Sequence, residues 1–182
     1  MGRRSIYVVC LTIFPFMVGS GIIYSVLSLY FAELGASRSQ VGLIYTTGAM
    51  AAAATAPLWG RFSDRLGRRW VLLGSMGLFS VVFLGYALST QYRQLFFVQV
   101  GEGIAWAALG ASAMALIADL SPKEERGQAM GIYNTAWNVG WIIGPGLGGF
   151  LTDYFGFRTA FLICVGMTLI GIALGFAFLP KR

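Results

Sequence analysis

The chain has no histidine, seven acidic residues and two cysteines, and charged residues make up 11% of its 182 positions. Each shortage removes a class of chemistry. Without histidine the commonest metal ligand and a frequent general base are missing. No nucleophile–base set or metal-ligand cluster stands out among the other residues, so neither an enzymatic reaction nor a cofactor is expected. Cys10 and Cys164 both fall inside apolar runs. A thiol there behaves as a small buried hydrophobe, and no disulfide framework is implied. The scarcity of charge decides the class. Soluble domains carry roughly a quarter charged residues, whereas here apolar residues reach 57% and mean hydropathy is +0.73. A chain of this length cannot hide that much apolar surface from water, so it is expected to be an all-α membrane protein.

What is present is a series of long apolar runs. The first covers about 6–32, after a short basic start. It is too long for a signal peptide, whose apolar core is about 7–15 residues, and reads as a retained helix. Five more follow at about 40–59, 70–88, 94–118, 127–151 and 157–179. Each is close to the roughly 20 residues that cross a bilayer, so six transmembrane helices are expected. The net charge of +6 raises nucleic acid as a partner. The basic residues, however, sit between the apolar runs, where membrane topology wants them, and no nucleic-acid partner is expected. Place the N-terminus inside. Arg3, Arg4, Arg61, Arg65, Arg68, Arg69, Lys123, Arg126, Lys181 and Arg182 then lie on the inner side, against Arg38, Arg93 and Arg158 outside. The positive-inside rule favours this orientation, with both termini cytoplasmic.

The chain also repeats itself. Under a shift of 89 positions Gly60, Asp64, Gly67 and Arg69 fall on Gly149, Asp153, Gly156 and Arg158, while Gly42, Thr46 and Leu58 fall on Gly131, Thr135 and Leu147. Three helices separate the copies, an odd number, so the second copy must be inverted. This gives a three-plus-three inverted repeat in a single bundle over 1–182, with repeats of about 1–91 and 92–182.

The densest charge cluster lies between the second and third runs: Gly60, Asp64, Arg65, Gly67, Arg68 and Arg69 within ten positions. It reads as a short basic hairpin, its glycines allowing turns and close backbone approach. This pattern resembles the loop between helices two and three of the major facilitator superfamily of transporters. In that family the loop latches the two halves of the molecule on the cytoplasmic side. The second motif arginine there pairs with an acid at the inner end of helix four, which the resemblance carries onto Arg68 and Asp119. The loop from Ser121 and Pro122 to Gly127 is also like the family's.

The fifth run carries Gly140, Gly144, Pro145, Gly148 and Gly149. Gly140, Gly144 and Gly148 recur every four residues and share one flat helix face, which lets another helix approach closely, although no partner for that face is evident. Pro145 can kink the helix. Gly144 to Gly149 fits Gly-x-Gly-x-x-Gly literally, but no strand precedes it, which rejects a dinucleotide site. The pattern is similar to the helix-five motif of proton-coupled drug exporters in the same superfamily.

Glu102, in the fourth run, is the sole acid inside any span. An ionisable group there costs roughly 2.5–3.5 kcal/mol on insertion scales, so it is expected to be functional or firmly paired, to Gln99 or backbone. Gln99, Glu102 and Trp106 share a helix face. Phe16, Ser20, Tyr24 and Ser28 form a similar stripe in the first run. The fifth adds Asn134 and Asn138, with Trp137 and Trp141 one turn apart. In the resembled family helices one, two, four and five line the pathway. Together these residues describe an aromatic pocket with few polar anchors, suited to a hydrophobic or cationic small molecule. Many exporters of this type carry arginine in helix four where Gln99 stands, so the resemblance leaves the coupling mechanism open.

The resemblance implies half of a major facilitator fold: the N-terminal six-helix half of a multi-pass carrier in a bacterial or archaeal inner membrane. Proton-coupled efflux by alternating access would result, with small-molecule substrate, protons, the lipid bilayer and a second six-helix half, or a second copy, as partners. Uptake of another small solute, and a six-helix channel or scaffold, are the alternatives. The topology is testable by cysteine labelling on a background free of Cys10 and Cys164. Tyr92→Cys is expected to label from outside and Leu66→Cys from inside; the reverse pattern would overturn the orientation.

Overall fold

The computed structural model describes residues 2–180, with side chains described from 5 to 180. Arg3 and Arg4, by their side chains, and Lys181 and Arg182 lie outside the described residues. Helices α1 (Gly2–Glu33), α2 (Arg38–Leu66), α3 (Arg68–Leu88), α4 (Tyr92–Leu120) and α5 (Arg126–Phe178) succeed one another, with a single 3₁₀ turn at Lys123–Glu125. All five are long and apolar enough to cross a membrane. Their starts are written locally. Ser37 Oγ accepts from the Gln40 amide at 3.4 Å while Gln40 Oε1 accepts from the Ser37 amide at 2.8 Å. This reciprocal cap satisfies two otherwise orphaned donors at the start of α2.

The glycine–arginine motif is not the hairpin expected. Gly60 to Leu66 form the last turns of α2, and the break is Gly67 alone, at φ 92°. That conformation suits a residue without a Cβ. One residue therefore separates α2 from α3.

Six helices were expected, and five are present among the described residues. The difference lies in α5. Its 53 residues would extend about 80 Å as a straight helix, far more than a hydrocarbon layer of about 30 Å. Gly156 interrupts it, with φ 76° and ψ 165°. Packing along α1 gives the consequence. Before Gly156, Gly140 faces Met17, Gly144 faces Gly21 and Gly148 faces Ile22 and Ser25, so both helices advance together. After it, Cys164 faces Gly19 and Gly171 faces Thr12, so the direction is opposite. The chain reverses at Gly156, and both legs of α5 pack on α1.

The Gly140, Gly144 and Gly148 face, without an evident partner in the sequence, is thus occupied by α1. A Cβ at Gly144 would stand 2.6 Å from Gly21 Cα, and one at Gly140 2.8 Å from Met17 Cβ. A second seam joins α2 to α4, where a Cβ at Gly103 would run into the Gly48 backbone. On α3, Gly85 faces Val98 of α4 and Leu73 faces Gly175 of α5. The core lies along α1, from Ile13, Phe16 and Met17 to Leu27 and Phe31, against Phe79, Phe83 and Phe161. By contrast α2 leaves Leu43, Met50, Leu58 and Phe62 exposed.

The α1–α5 seam is testable. Gly144→Leu would drive side-chain atoms into the α1 backbone, and overpacking of this kind costs typically about 1–3 kcal/mol or more. A lower thermal unfolding midpoint in detergent is expected. Gly146→Ala adds its Cβ in open space and should leave the midpoint nearly unchanged.

Candidate functional site

Glu102 lies one residue before the α2–α4 seam glycine, Gly103, and is 2% exposed. Its two carboxylate oxygens receive hydrogen bonds from two other helices. The Tyr24 hydroxyl of α1 donates to Oε1, and the Tyr86 hydroxyl of α3 donates to Oε2 at 2.7 Å. Each tyrosine is in turn held from α4. Gln99 Nε2 donates to Tyr86 Oη at 2.9 Å, and Trp106 Nε1 donates to Tyr24 Oη. The result is one polar network joining three helices inside an apolar bundle. Burying a carboxylate costs heavily unless its lone pairs are occupied, and here both oxygens are.

Beside the network is a cavity of about 240 Å³, lined by Tyr24, Tyr45, Gly48, Ala49, Ala52, Gln99, Glu102, Gly103 and Trp106. The seam glycines form part of its wall. Aromatic rings surround it further out. Trp141 lies near-parallel to Tyr24 with centroids 5.9 Å apart, and Trp137 meets Trp106 edge-on at 5.6 Å. Chemically the site offers a carboxylate and π faces, a combination that attracts cations.

Glu102, Gln99, Trp106 and Tyr24 are therefore brought into contact, with Trp137 and Trp141 alongside. Ser28, Asn134 and Asn138 are not: all three are exposed. Tyr86 and Tyr45 were missed. Tyr86 is the one tyrosine in its apolar run, and nothing in the linear pattern aims it at Glu102.

At the end of the bundle carrying Gly67, Arg68 bonds two carboxylates. Its Nη2 is 3.2 Å from Asp64, and its Nε donates to Asp119. Arg65 is exposed at the end of α2. Arg69, grouped with these by sequence, points elsewhere. It is buried, and its Nη2 donates to the carbonyls of Gly175 at 3.3 Å and Phe176 at 2.9 Å. It thus caps the carboxyl end of α5, where the helix dipole favours a cation. Gly60 has open space where a Cβ would stand, as does Gly149, and Pro145 is largely exposed with its Cδ near Gly21.

The described helices form an apolar bundle that buries a hydrogen-bonded carboxylate beside an aromatic-lined cavity. The sequence profile described as Major Facilitator Superfamily matches residues 9–182. The chain belongs to the Major Facilitator Superfamily of membrane transporters. It is 31% identical over 169 residues to "Multidrug resistance protein 2" of Bacillus subtilis (strain 168), covering 92% of this chain and 42% of that protein. It is 29% identical over 151 residues to "Quinolone resistance protein NorA" of Staphylococcus aureus, covering 83% and 39%. The human organic anion transporter MFSD10 (TETRAN) shares the fold, with a TM-score of 0.82 at 22% identity over 98% of this chain and 47% of that one. The chain spans about two fifths of the length of the curated relatives it matches.

Tyr86 gives a direct test of the network. Tyr86→Phe keeps the ring and removes the hydroxyl that donates to Glu102 Oε2 and accepts from Gln99 Nε2. Unsatisfied buried groups cost about 1–3 kcal/mol, more when charged. The variant is expected to unfold at a clearly lower temperature than wild type, while Tyr45→Phe at the cavity rim has a smaller effect.

Proposed function

We propose that this chain forms the N-terminal half of a secondary active transporter that exports small hydrophobic or cationic compounds in exchange for protons. The observation that carries this reading is Glu102: a buried carboxylate facing a cavity walled by Tyr24, Tyr45 and Trp106. A carboxylate there can hold a proton in one conformation and a cationic substrate in the other. Similarity to proteins named for multidrug and quinolone resistance supports export over uptake.

In this reading the two legs of α5, reversing at Gly156, are the fifth and sixth membrane crossings. The pattern of contacts supports a three-plus-three inverted repeat. α1 packs on the first leg of α5 through glycines, as α4 packs on α2; α1 packs on the second leg, as α4 packs on α3. Exchanging the two repeats maps each contact onto its counterpart. Both termini are cytoplasmic, and Asp64, Arg68 and Asp119 act as the cytoplasmic gate, with Gly60, Gly67, Arg65 and Arg69 shaping that end. The exposed apolar side of α2 is available to a second six-helix half or a second copy. Transport then proceeds by the two bundles rocking about the Glu102 site.

The test is Glu102→Gln, which keeps the shape and removes the titration. In liposomes holding the transport-competent assembly, wild type should show substrate-stimulated proton flux. The variant should still bind substrate yet lose pH-driven transport by at least about tenfold, the loss expected for a step worth some 1.4 kcal/mol or more. Unchanged pH dependence at normal expression would leave Glu102 as a structural link between helices.

A further inference from the structure

The two hydroxyls that bond Glu102 are held differently. Tyr86 is fully buried, and its ring lies against Phe161 and Phe31, with centroids 5.9 and 6.1 Å away. Its hydroxyl is braced by Gln99. Gln99 is itself pressed against α2, where Gly48 leaves no room for a methyl group beside Gln99 Oε1. Tyr86 is not among the residues that line the cavity beside Glu102. Tyr24 does line it, as do Glu102 and Trp106. It is only partly buried, and its ring faces Trp141, which is 39% exposed.

Glu102 borders the cavity and yet is almost wholly buried. A ligand that reaches its carboxylate therefore takes the place of a group already bonded there. Of the two hydroxyl donors, the one in the cavity wall is Tyr24, on Oε1. The chemistry of that exchange selects the ligand. An ionised carboxylate accepts hydrogen bonds and donates none. A protonated amine brings a positive charge and an N–H, so it gives back to Oε1 the bond that the phenol gives up, in charge-assisted form. A quaternary ammonium ion brings the charge alone. The carboxylate and the ring faces attract it, but displacing Tyr24 would cost a bond and return none.

We propose, resting on the reading of the Glu102 cavity as a cation site, that Tyr24 is its displaceable donor. A cation carrying an N–H replaces the Tyr24 hydroxyl on Glu102 Oε1, while Tyr86 stays on Oε2 and keeps the carboxyl group in position. Tyr24 thereby sets the selectivity of the site between protonated amines and quaternary ammonium ions. In wild type the amine gains one bond at the expense of another. Without the Tyr24 hydroxyl it gains the whole bond, so removing a polar group from the cavity wall tightens amine binding.

Protonated N,N-dimethylbenzylamine and benzyltrimethylammonium are a matched pair of probes, alike in charge and nearly alike in size, that differ in the N–H. Their binding to the chain in its transport-competent assembly, purified in maltoside micelles at neutral pH, would be measured by calorimetry. Wild type is expected to bind both. Tyr24→Phe should bind the amine about tenfold more tightly, the usual worth of a hydrogen bond to a charged group, and the quaternary ion with unchanged affinity. Tyr86→Phe opens no oxygen to the cavity and should leave the ratio of the two affinities as it is. A Tyr24 that served only as packing would alter both affinities alike. An unchanged or lowered ratio in Tyr24→Phe, or an equal rise in Tyr86→Phe, overturns the proposal and leaves the cation site standing. Failure of both probes to bind wild type overturns the cation site and the proposal with it. Should Tyr24→Phe fail to fold, infrared difference spectra of wild type decide the matter. The amine is expected to shift a tyrosine C–O stretch and the quaternary ion not; the same tyrosine bands with both overturn the proposal.

Discussion

The closeness of backbones is the constraint on which this bundle depends. Inside a bilayer, helices gain nothing by hiding apolar side chains from one another, because the lipid is as apolar as they are. Association has to come from packing and from hydrogen bonds. At the α1–α5 seam Gly21 and Gly144 meet with no room for a methyl group, and at the α2–α4 seam Gly48 and Gly103 do the same. These contacts fix the register of the residues beside them. Tyr24 stands three residues beyond Gly21, and Glu102 one before Gly103. The two seams thereby bring a phenol and a carboxylate within hydrogen-bonding reach across the core.

That carboxylate then makes its own demands. A Glu102 with two occupied oxygens requires donors from α1 and α3 at once. The tyrosines require α4 in turn, through Gln99 and Trp106. The polar network does for three helices what the glycines do pairwise. It also borders a cavity, so the group that joins the helices is one that a small molecule can reach. The side chain that joins three helices thus also lines the cavity.

Much of this was legible in the sequence, for identifiable reasons. Scarcity of charge gave the membrane class, and apolar runs located α1, α3 and α4 within a few residues, because hydropathy reports the solvent directly; α2 runs seven residues past its apolar run, and two expected runs form the one helix α5. Periodicity showed that Gly140, Gly144 and Gly148 share a face, and that Gln99, Glu102 and Trp106 share another. It cannot show what a face meets. Asn134 and Asn138 were grouped with the pocket on the same logic; they are exposed and do not line the cavity beside Glu102. The Gly60-to-Arg69 stretch looked like a hairpin because glycine and charge usually mark loops. In fact helix α2 continues through it, since its polar residues lie beyond the apolar span where helical backbone and charge coexist. Tyr86 was invisible because its role is set by tertiary contact with a residue sixteen positions away. Arg69 looked like its neighbours until its burial against the end of α5 was known.

Helix α3 has a mechanical consequence. It is joined to α2 through the single residue Gly67, and no proline interrupts it. Near one end Tyr86 grips Glu102; near the other Arg69 grips the final carbonyls of α5. Seventeen residues separate these grips, about 26 Å along a helix. α3 is thus a strut with a polar clamp at each tip. Rotation about its long axis withdraws both clamps together, and sliding along that axis lengthens one as it shortens the other. The buried carboxylate and the end of α5 are thus joined by one unbroken helix, with no hinge between the two contacts.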